Sequence, residues 1–377
     1  MGIRARQRRH AGARAWQRAH RGRPALGRDS AGTALGVCLK HALTLAACAL
    51  GGAGFAALHI PLPWMLGSLF VMAALRLGPR TGSTPRRGRF AGQWIVGTAL
   101  GLQFTPPVLG AVASVGGWLL LIAASAPLLA WVGSALLRRW CALDAGTAWF
   151  ASMPGGAMEM SVLAERAGAR VDRVAIAQSL RVLIVVVTLP PLFVLLGVHG
   201  SDSWQVSGAL LAWPAMAGLL AANAALGWLA ARAGIPNAWV LAPLFGAALA
   251  AGAGGLDGHL PLPAVDAAQV LIGAALGARF DRSMLTGAPR FVAAVVMSNA
   301  VALALCVLLA WAVAAASGLA LPTLVLAGAP GGISEMALTA GNLGLGTPVV
   351  VAAHVMRVVL VVLSAGPMHA RVIARNS

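Results

Sequence analysis

Residues Pro154 to Met160 read PGGAMEM, and 176 positions later Pro330 to Met336 read PGGISEM. Each copy sits inside an apolar segment. Pro lacks a donor N–H and Gly leaves the backbone unrestrained, so a Pro-Gly-Gly step breaks a helix. A carboxylate follows each break, Glu159 and Glu335. In hydrocarbon, a broken helix and an ionisable group are both costly, and they are tolerated where they face a protein-lined or wet cavity. Both costs fall together, twice, at matching places, which makes these two stretches the centre of a functional reading.

The surrounding composition sets the class. Of 377 residues, 59% are hydrophobic and only 10% charged, against about 25% charged in a soluble domain. This is the composition of an all-α polytopic membrane protein. The formal charge of +18 does not point to nucleic acid, because nine arginines between Arg4 and Arg28 supply half of it. The rest falls mostly between apolar spans, where basic residues orient a membrane protein. Cys38, Cys48, Cys141 and Cys306 form no C-x-x-C pair, and the eight histidines show no metal-binding spacing. No cofactor or metal is expected, and no catalytic residues stand out.

The duplication extends well beyond the two breaks. The stretch GTALG at 97–101 matches GAALG at 273–277, and Arg181 matches Arg357, both at the spacing of the Pro-Gly-Gly motifs. IPLPWMLGSLF at 60–70 matches IPNAWVLAPLF at 235–245, one residue out of step. Twelve apolar segments result, six per copy, with the breaks inside 141–165 and 320–341. The expected organisation is a disordered basic cytoplasmic tail over 1–33, repeat 1 over 34–198, a linker over 199–206 and repeat 2 over 207–373. If each copy crosses five times and its Pro-Gly-Gly segment enters and leaves on one side, the second copy starts from the opposite face. The arginines of 76–89, 138–139, 166–173, 232, 279–290 and 371–375 then all lie inside. The loop 252–266, counterpart of the basic loop 76–89, carries Asp257 and Asp266 instead. That sign reversal is what inverted repeats require. It places both termini on the cytoplasmic side of the membrane.

Few charges remain within the apolar layer. Lys40 and Asp144 sit near segment ends, where snorkelling and helix capping account for them. Arg181 lies eight residues past Arg173, about 12 Å along a helix at ~1.5 Å per residue, and Arg357 is similarly deep. Gln178 and His354 stand three residues before these arginines, on the same helix face. One reading is structural: Glu159 pairs with Arg181 and Glu335 with Arg357 to neutralise buried charge. The other is a binding site, because an ion pair needs no exposed amides, whereas a half-helix starting at Gly155 or Gly331 aims its positive end into the membrane.

On the duplicated PGG-x-x-E-M element, the G-x-A-L-G segment and the helix holding R-V-[LV]-[IL]-V-V, the chain resembles the bacterial AbrB-duplication membrane family over about residues 35–373. That family is often labelled an ammonia monooxygenase and has been linked to regulation of the aidB gene. Its arrangement is similar to the cation/proton antiporter and anion transporter superfamily, whose inverted repeats carry broken helices crossing at the midplane. The resemblance implies secondary transport. A monooxygenase would need clustered His or carboxylate ligands for copper or iron, and His354 stands alone in its segment.

The expected function is secondary active transport of a small anionic organic solute, coupled to H⁺ or Na⁺, by alternating access around a midplane site. Pro154, Gly155, Gly156, Glu159, Arg181, Pro330, Gly331, Gly332, Glu335 and Arg357 would bind solute. Glu159, Glu335, Gln178 and His354 would serve the coupling ion, His354 being the better titrating group. The alternative is a non-transporting membrane sensor that affects gene expression through a partner. The expected partners are the solute, the coupling ion and the lipid bilayer, with a homodimer allowed and nucleic acid excluded. No enzymatic step is expected.

Overall fold

A computed structural model describes residues 30–78, 84–200, 209–280 and 288–374. The basic tail to residue 29, most of the linker, and Arg80, Arg282 and Arg375 lie outside these residues. The chain divides into two units, Met1–Leu43 and Thr44–Ser377, and the site lies in the second.

The described residues are helical almost throughout. Helix α1 spans Ser30–Ala57, so its first four residues belong to the stretch read as tail. In the first copy follow α2 (Pro63–Leu77), α3 (Arg86–Gly101), α4 (Pro106–Ser114), α5 (Gly116–Ala124), α6 (Ala126–Cys141), α7 (Ala145–Ser152), α8 (Ala157–Arg166) and α9 (Val171–Leu195). The second copy has α10 (Trp213–Arg232), α11 (Ala238–Gly252), α12 (Leu262–Gly277), α13 (Pro289–Ser317), α14 (Leu321–Gly328), α15 (Ile333–Asn342) and α16 (Thr347–Ala374). Both ends of α3, α7 and α8 recur in α12, α14 and α15 at the spacing of the two motifs. The slipped pair α2 and α11 is one position short of that spacing at both ends.

Six helices among the described residues are long and apolar enough to cross a membrane, the longest being Pro289–Ser317 at 29 residues. The protein is therefore a polytopic helical membrane protein. The twelve apolar segments all appear, but several are not spans of full length. The apolar run over 108–137 divides at Val115, after α4, while α5 and α6, interrupted at Ser125, together form one candidate span, Gly116–Cys141. At Thr105-Pro106-Pro107 the chain turns by 86° between α3 and α4, because a residue before proline avoids the helical region. Helices α3 and α12 begin four and five residues earlier than their apolar runs. Arginines are good helix formers that open α3 with a basic turn, and Pro263 suits the first turn of α12.

Four short helices of 15 or 16 residues, α2, α3, α11 and α12, cross at the centre of the second unit. Glycines set how closely they approach. A Cβ on Gly97 would strike the Val240 carbonyl and one on Gly101 the Leu244 carbonyl. Gly273 and Gly277 meet the carbonyls of Met65 and Leu69 in the same way. The duplicated G-x-A-L-G segment is thus a pair of close helix crossings, in which α3 runs parallel to α11 and α12 parallel to α2. Helices α3 and α12 run antiparallel: Arg89 and Gln93 meet Leu276 and Arg279 at one end, while Ala99 and Gln103 face Leu262 and Asp266 at the other. Matched helices of the two copies therefore point in opposite directions. Apolar packing surrounds both breaks, with Trp149, Met153 and Met160 around the first and Leu326, Ala329 and Met336 around the second.

Candidate functional site

Each Pro-Gly-Gly step joins two half-helices of eight and ten residues, α7 to α8 and α14 to α15. The turns are alike. Gly155 N–H donates to Met153 O at 2.8 Å, and Gly331 N–H to Ala329 O at 2.8 Å. The letters that follow are explained by what a side chain would hit. A Cβ on Gly155 would run into Met160 and one on Gly331 into Met336, so the motif's Met packs beneath its first glycine. A Cβ on Gly156 or Gly332 would run into the carboxylate of Glu159 or Glu335. Each glutamate therefore folds back over the N-cap glycine of its own half-helix, as the acidic member of a capping box does.

The C-terminal carbonyls of α7 and α14 would be orphans at these breaks. Gln178 Nε2 donates to Phe150 O at 2.7 Å and Met153 O at 2.9 Å. Arg181 donates from NH1 to Met153 O at 2.7 Å and from NH2 to Gly155 O at 2.8 Å. The second copy repeats the pattern. His354 Nε2 lies 2.9 Å from Leu326 O, and Arg357 donates to Ala329 O at 2.5 Å and Gly331 O at 2.7 Å. Arg357 NH2 also lies 2.9 Å from His354 Nδ1. A guanidinium can only donate, so Nδ1 accepts and Nε2 carries the proton given to Leu326 O.

These contacts replace the ion pairs that were one reading of the sequence. Among the described residues, the carboxylates within 4.0 Å of an arginine nitrogen belong to Asp172, beside Arg170 and Arg173. Neither Glu159 nor Glu335 reaches Arg181 or Arg357. Asn237, in the left-handed region at φ 50°, instead donates its backbone N–H to Glu159 Oε1 at 3.1 Å. Ser334 Oγ donates to Glu335 Oε2 at 3.0 Å. Arg181 and Arg357, only 5% and 4% exposed, are thus buried cations held by carbonyl dipoles, with no carboxylate among the described residues in reach.

Between the breaks lies a cavity of about 70 Å³. Pro154, Gly155, Gly156, Gly331 and Gly332 line it, with Arg181, Arg357 and Glu335. Of the residues expected to bind solute, Glu159 stands instead in an adjoining vestibule of about 530 Å³, and Pro330 faces a small neighbouring pocket that also touches Pro154 and Arg181. Gln178 and His354, expected to serve the coupling ion, are fully buried and bonded to helix ends, and neither is among the cavity-lining residues.

The cavity also holds two arginines that the sequence reading left in the loops. Arg89, in the first turn of α3, and Arg279, two residues past the end of α12, share its wall with Gln93 and Asn237. The charges of Arg357 and Arg279 act on Arg181, and those of Arg89 and Glu335 act on Arg279. Arg89, Gln93, Gly156, Ala157 and Asn237 line both cavity and vestibule, so the two adjoin. A second vestibule, of about 420 Å³, lies at the other ends of α3 and α12 and shares no lining residue with the cavity. It has Asp266 and His259 where the first has Arg89, Arg166 and Glu159.

A family model described as "Transition state regulatory protein AbrB" matches residues 64–374. A Bacillus subtilis (strain 168) protein named "Uncharacterized protein YhjN" is 30% identical over 370 residues, covering 88% of this chain and 92% of that protein. An Escherichia coli (strain K12) protein named "Putative regulator AbrB" is 27% identical over 331 residues, covering 85% of this chain and 92% of that protein.

Proposed function

The chain belongs to the AbrB family, and from that premise we propose that it is a secondary active transporter of a small anionic organic solute, coupled to H⁺ or Na⁺. One observation carries the reading: a cavity between two helix breaks, lined by four arginines of which the two most buried have no carboxylate partner among the described residues. Uncompensated buried charge is expensive, and a bound anion would relieve it. Carbonyl dipoles hold each guanidinium in place, while donors not used by those carbonyls remain for a solute carboxylate.

The two vestibules support alternating access. One shares five lining residues with the cavity and the other shares none, which favours a conformation open toward the basic face. The antiparallel matched helices and the exchange of basic for acidic residues between the vestibules support inverted copies. The basic face is then cytoplasmic in a bacterial inner membrane, with both termini on that side. Glu335 is the coupling group. A solute carboxylate entering beside this buried glutamate raises the cost of its charge, so anion and cation bind together. No chemical step is needed.

A second reading keeps the fold as a sensor that affects gene expression through a partner, and the relative named "Putative regulator AbrB" favours it. Uptake of labelled carboxylates into proteoliposomes separates the two. A transporter moves solute across the bilayer; a sensor binds it and moves none.

A further inference from the structure

We infer that the solute is a short dicarboxylate, with one carboxylate between the breaks at Arg181 and Arg357 and the other on the rim at Arg279 and Arg89. This rests on the transport-site reading of the same cavity.

The charges around the cavity do not balance for a monoanion. Arg89, Arg181, Arg279 and Arg357 face one carboxylate, Glu335. Glu159, in the vestibule beyond the shared Gly156 and Ala157, supplies a second. Two positive charges remain while Glu335 is ionised and three once it carries the coupling ion, so a dianion brings the site closer to neutrality than a monoanion in either state. Arg166 also lines the vestibule, but it is exposed and screened by water.

The cations are arranged in two sets. Arg181 and Arg357 are buried beside the breaks, whereas Arg279 and Arg89 are half-buried in the cavity wall, Arg89 also lining the vestibule. The charges of Arg357 and Arg279 both bear on Arg181, and that of Arg89 bears on Arg279. A compact divalent ion engages one set, while two carboxylates on a short chain engage both. Arg357 offers a further reason for a ligand at the deep end: its Nε is buried and has no hydrogen-bond partner. The cavity of about 70 Å³ admits a carboxylate at that end, with the remainder of the solute lying toward the vestibule of about 530 Å³.

The test uses the purified full-length chain in lipid nanodiscs and calorimetric titration. Malonate, succinate and glutarate are each compared with their half-amides, which keep the size and remove one charge, and with sulfate. At least one diacid is expected to bind tenfold or more tightly than its half-amide. Arg279→Gln, and independently Arg89→Gln, should bring that ratio near one by weakening the diacid. Half-amides binding as tightly as all three diacids would overturn the dicarboxylate assignment while leaving an anion site. So would sulfate binding as tightly as the best diacid. Failure of every anion to bind would overturn the anionic transport reading itself.

Discussion

The Nε–H of Arg181 donates to the carbonyl of Pro330 at 3.0 Å, so a helix of the first copy grips the break of the second. Its counterpart Arg357 grips only its own break, and its Nε is left without a partner. The bonds from each arginine to its own break repeat across the copies, whereas this bond between the copies has no counterpart at Arg357, and on the alternating-access reading it marks the conformation open toward the basic face. In the opposite conformation, exchange of roles would have Arg357 reach Pro154 and Arg181 release Pro330. Arg181→Lys removes the Nε donor and should bias the protein toward that state. A cysteine at Ala157, on the open side, should then react more slowly with a thiol reagent, and one at Ala337, on the sealed side, severalfold faster. Unchanged rates at both would mean that the bond does not distinguish the two states.

The arginines should behave as helix caps in stability measurements. Arg357→Gln removes charge-assisted bonds to two buried carbonyls and should cost about 2–4 kcal/mol. Glu335 lies beyond 4.0 Å of that guanidinium, so a double-mutant cycle with Glu335→Gln should give a coupling of under about 0.5 kcal/mol. Thermal melts in a fixed detergent decide the matter. A coupling several times larger than that would restore the ion pair.

His354 and Gln178 do the same work at matching positions, each bonding the carbonyl 28 residues before it. His354→Gln should therefore stay within about 1 kcal/mol of the parent, the scale of one hydrogen bond kept in altered geometry, and leave the pH profile of solute exchange unchanged. His354→Leu strands the Leu326 carbonyl and should cost about 1–3 kcal/mol. A shifted pH profile in the Gln variant would make His354 a proton carrier after all.

What could be read from the chain in advance was whatever broke its hydrophobic pattern. Pro154, Gly155, Glu159 and Arg181, with their copies Pro330, Gly331, Glu335 and Arg357, stood out because each is costly in hydrocarbon. Repeated letters such as Gly97 and Gly273 marked matched elements before their reason was visible, which is the approach of one backbone to another. Arg89 and Arg279 were hidden. An arginine at the end of an apolar run has the same sequence context whether it meets headgroups or lines a cavity, and only the crossing of α3 with α12 decides between them. The use of Arg181 and Arg357 was equally hidden, since carbonyl acceptors leave no trace in residue identity. The interruptions at Val115 and Ser125 lay within one apolar run whose composition does not change there.

The second glycine of each motif should matter through the glutamate three residues on. A methyl at Gly332 meets the Glu335 carboxylate, the mobile end of a side chain, and φ there is −80°, so the backbone tolerates alanine. Gly332→Ala should cost about 1 kcal/mol by displacing the carboxylate from the N-terminus of α15. It should also weaken anion binding, because the carboxylate is pushed toward the cavity. Gly331→Ala presses on buried Met336 and should cost more, about 1–3 kcal/mol. Equal melting temperatures and equal affinities for both variants and the parent would mean that neither glycine sets the site.

The most direct measurement is uptake of a labelled carboxylate that binds the purified chain, in proteoliposomes under an imposed proton or sodium gradient, for the parent and Glu335→Gln. The account predicts saturable, gradient-driven accumulation by the parent. It predicts loss of that accumulation in Glu335→Gln, with exchange of solute between the two sides retained. Binding without any flux by the folded parent, or accumulation by Glu335→Gln equal to the parent, would contradict it.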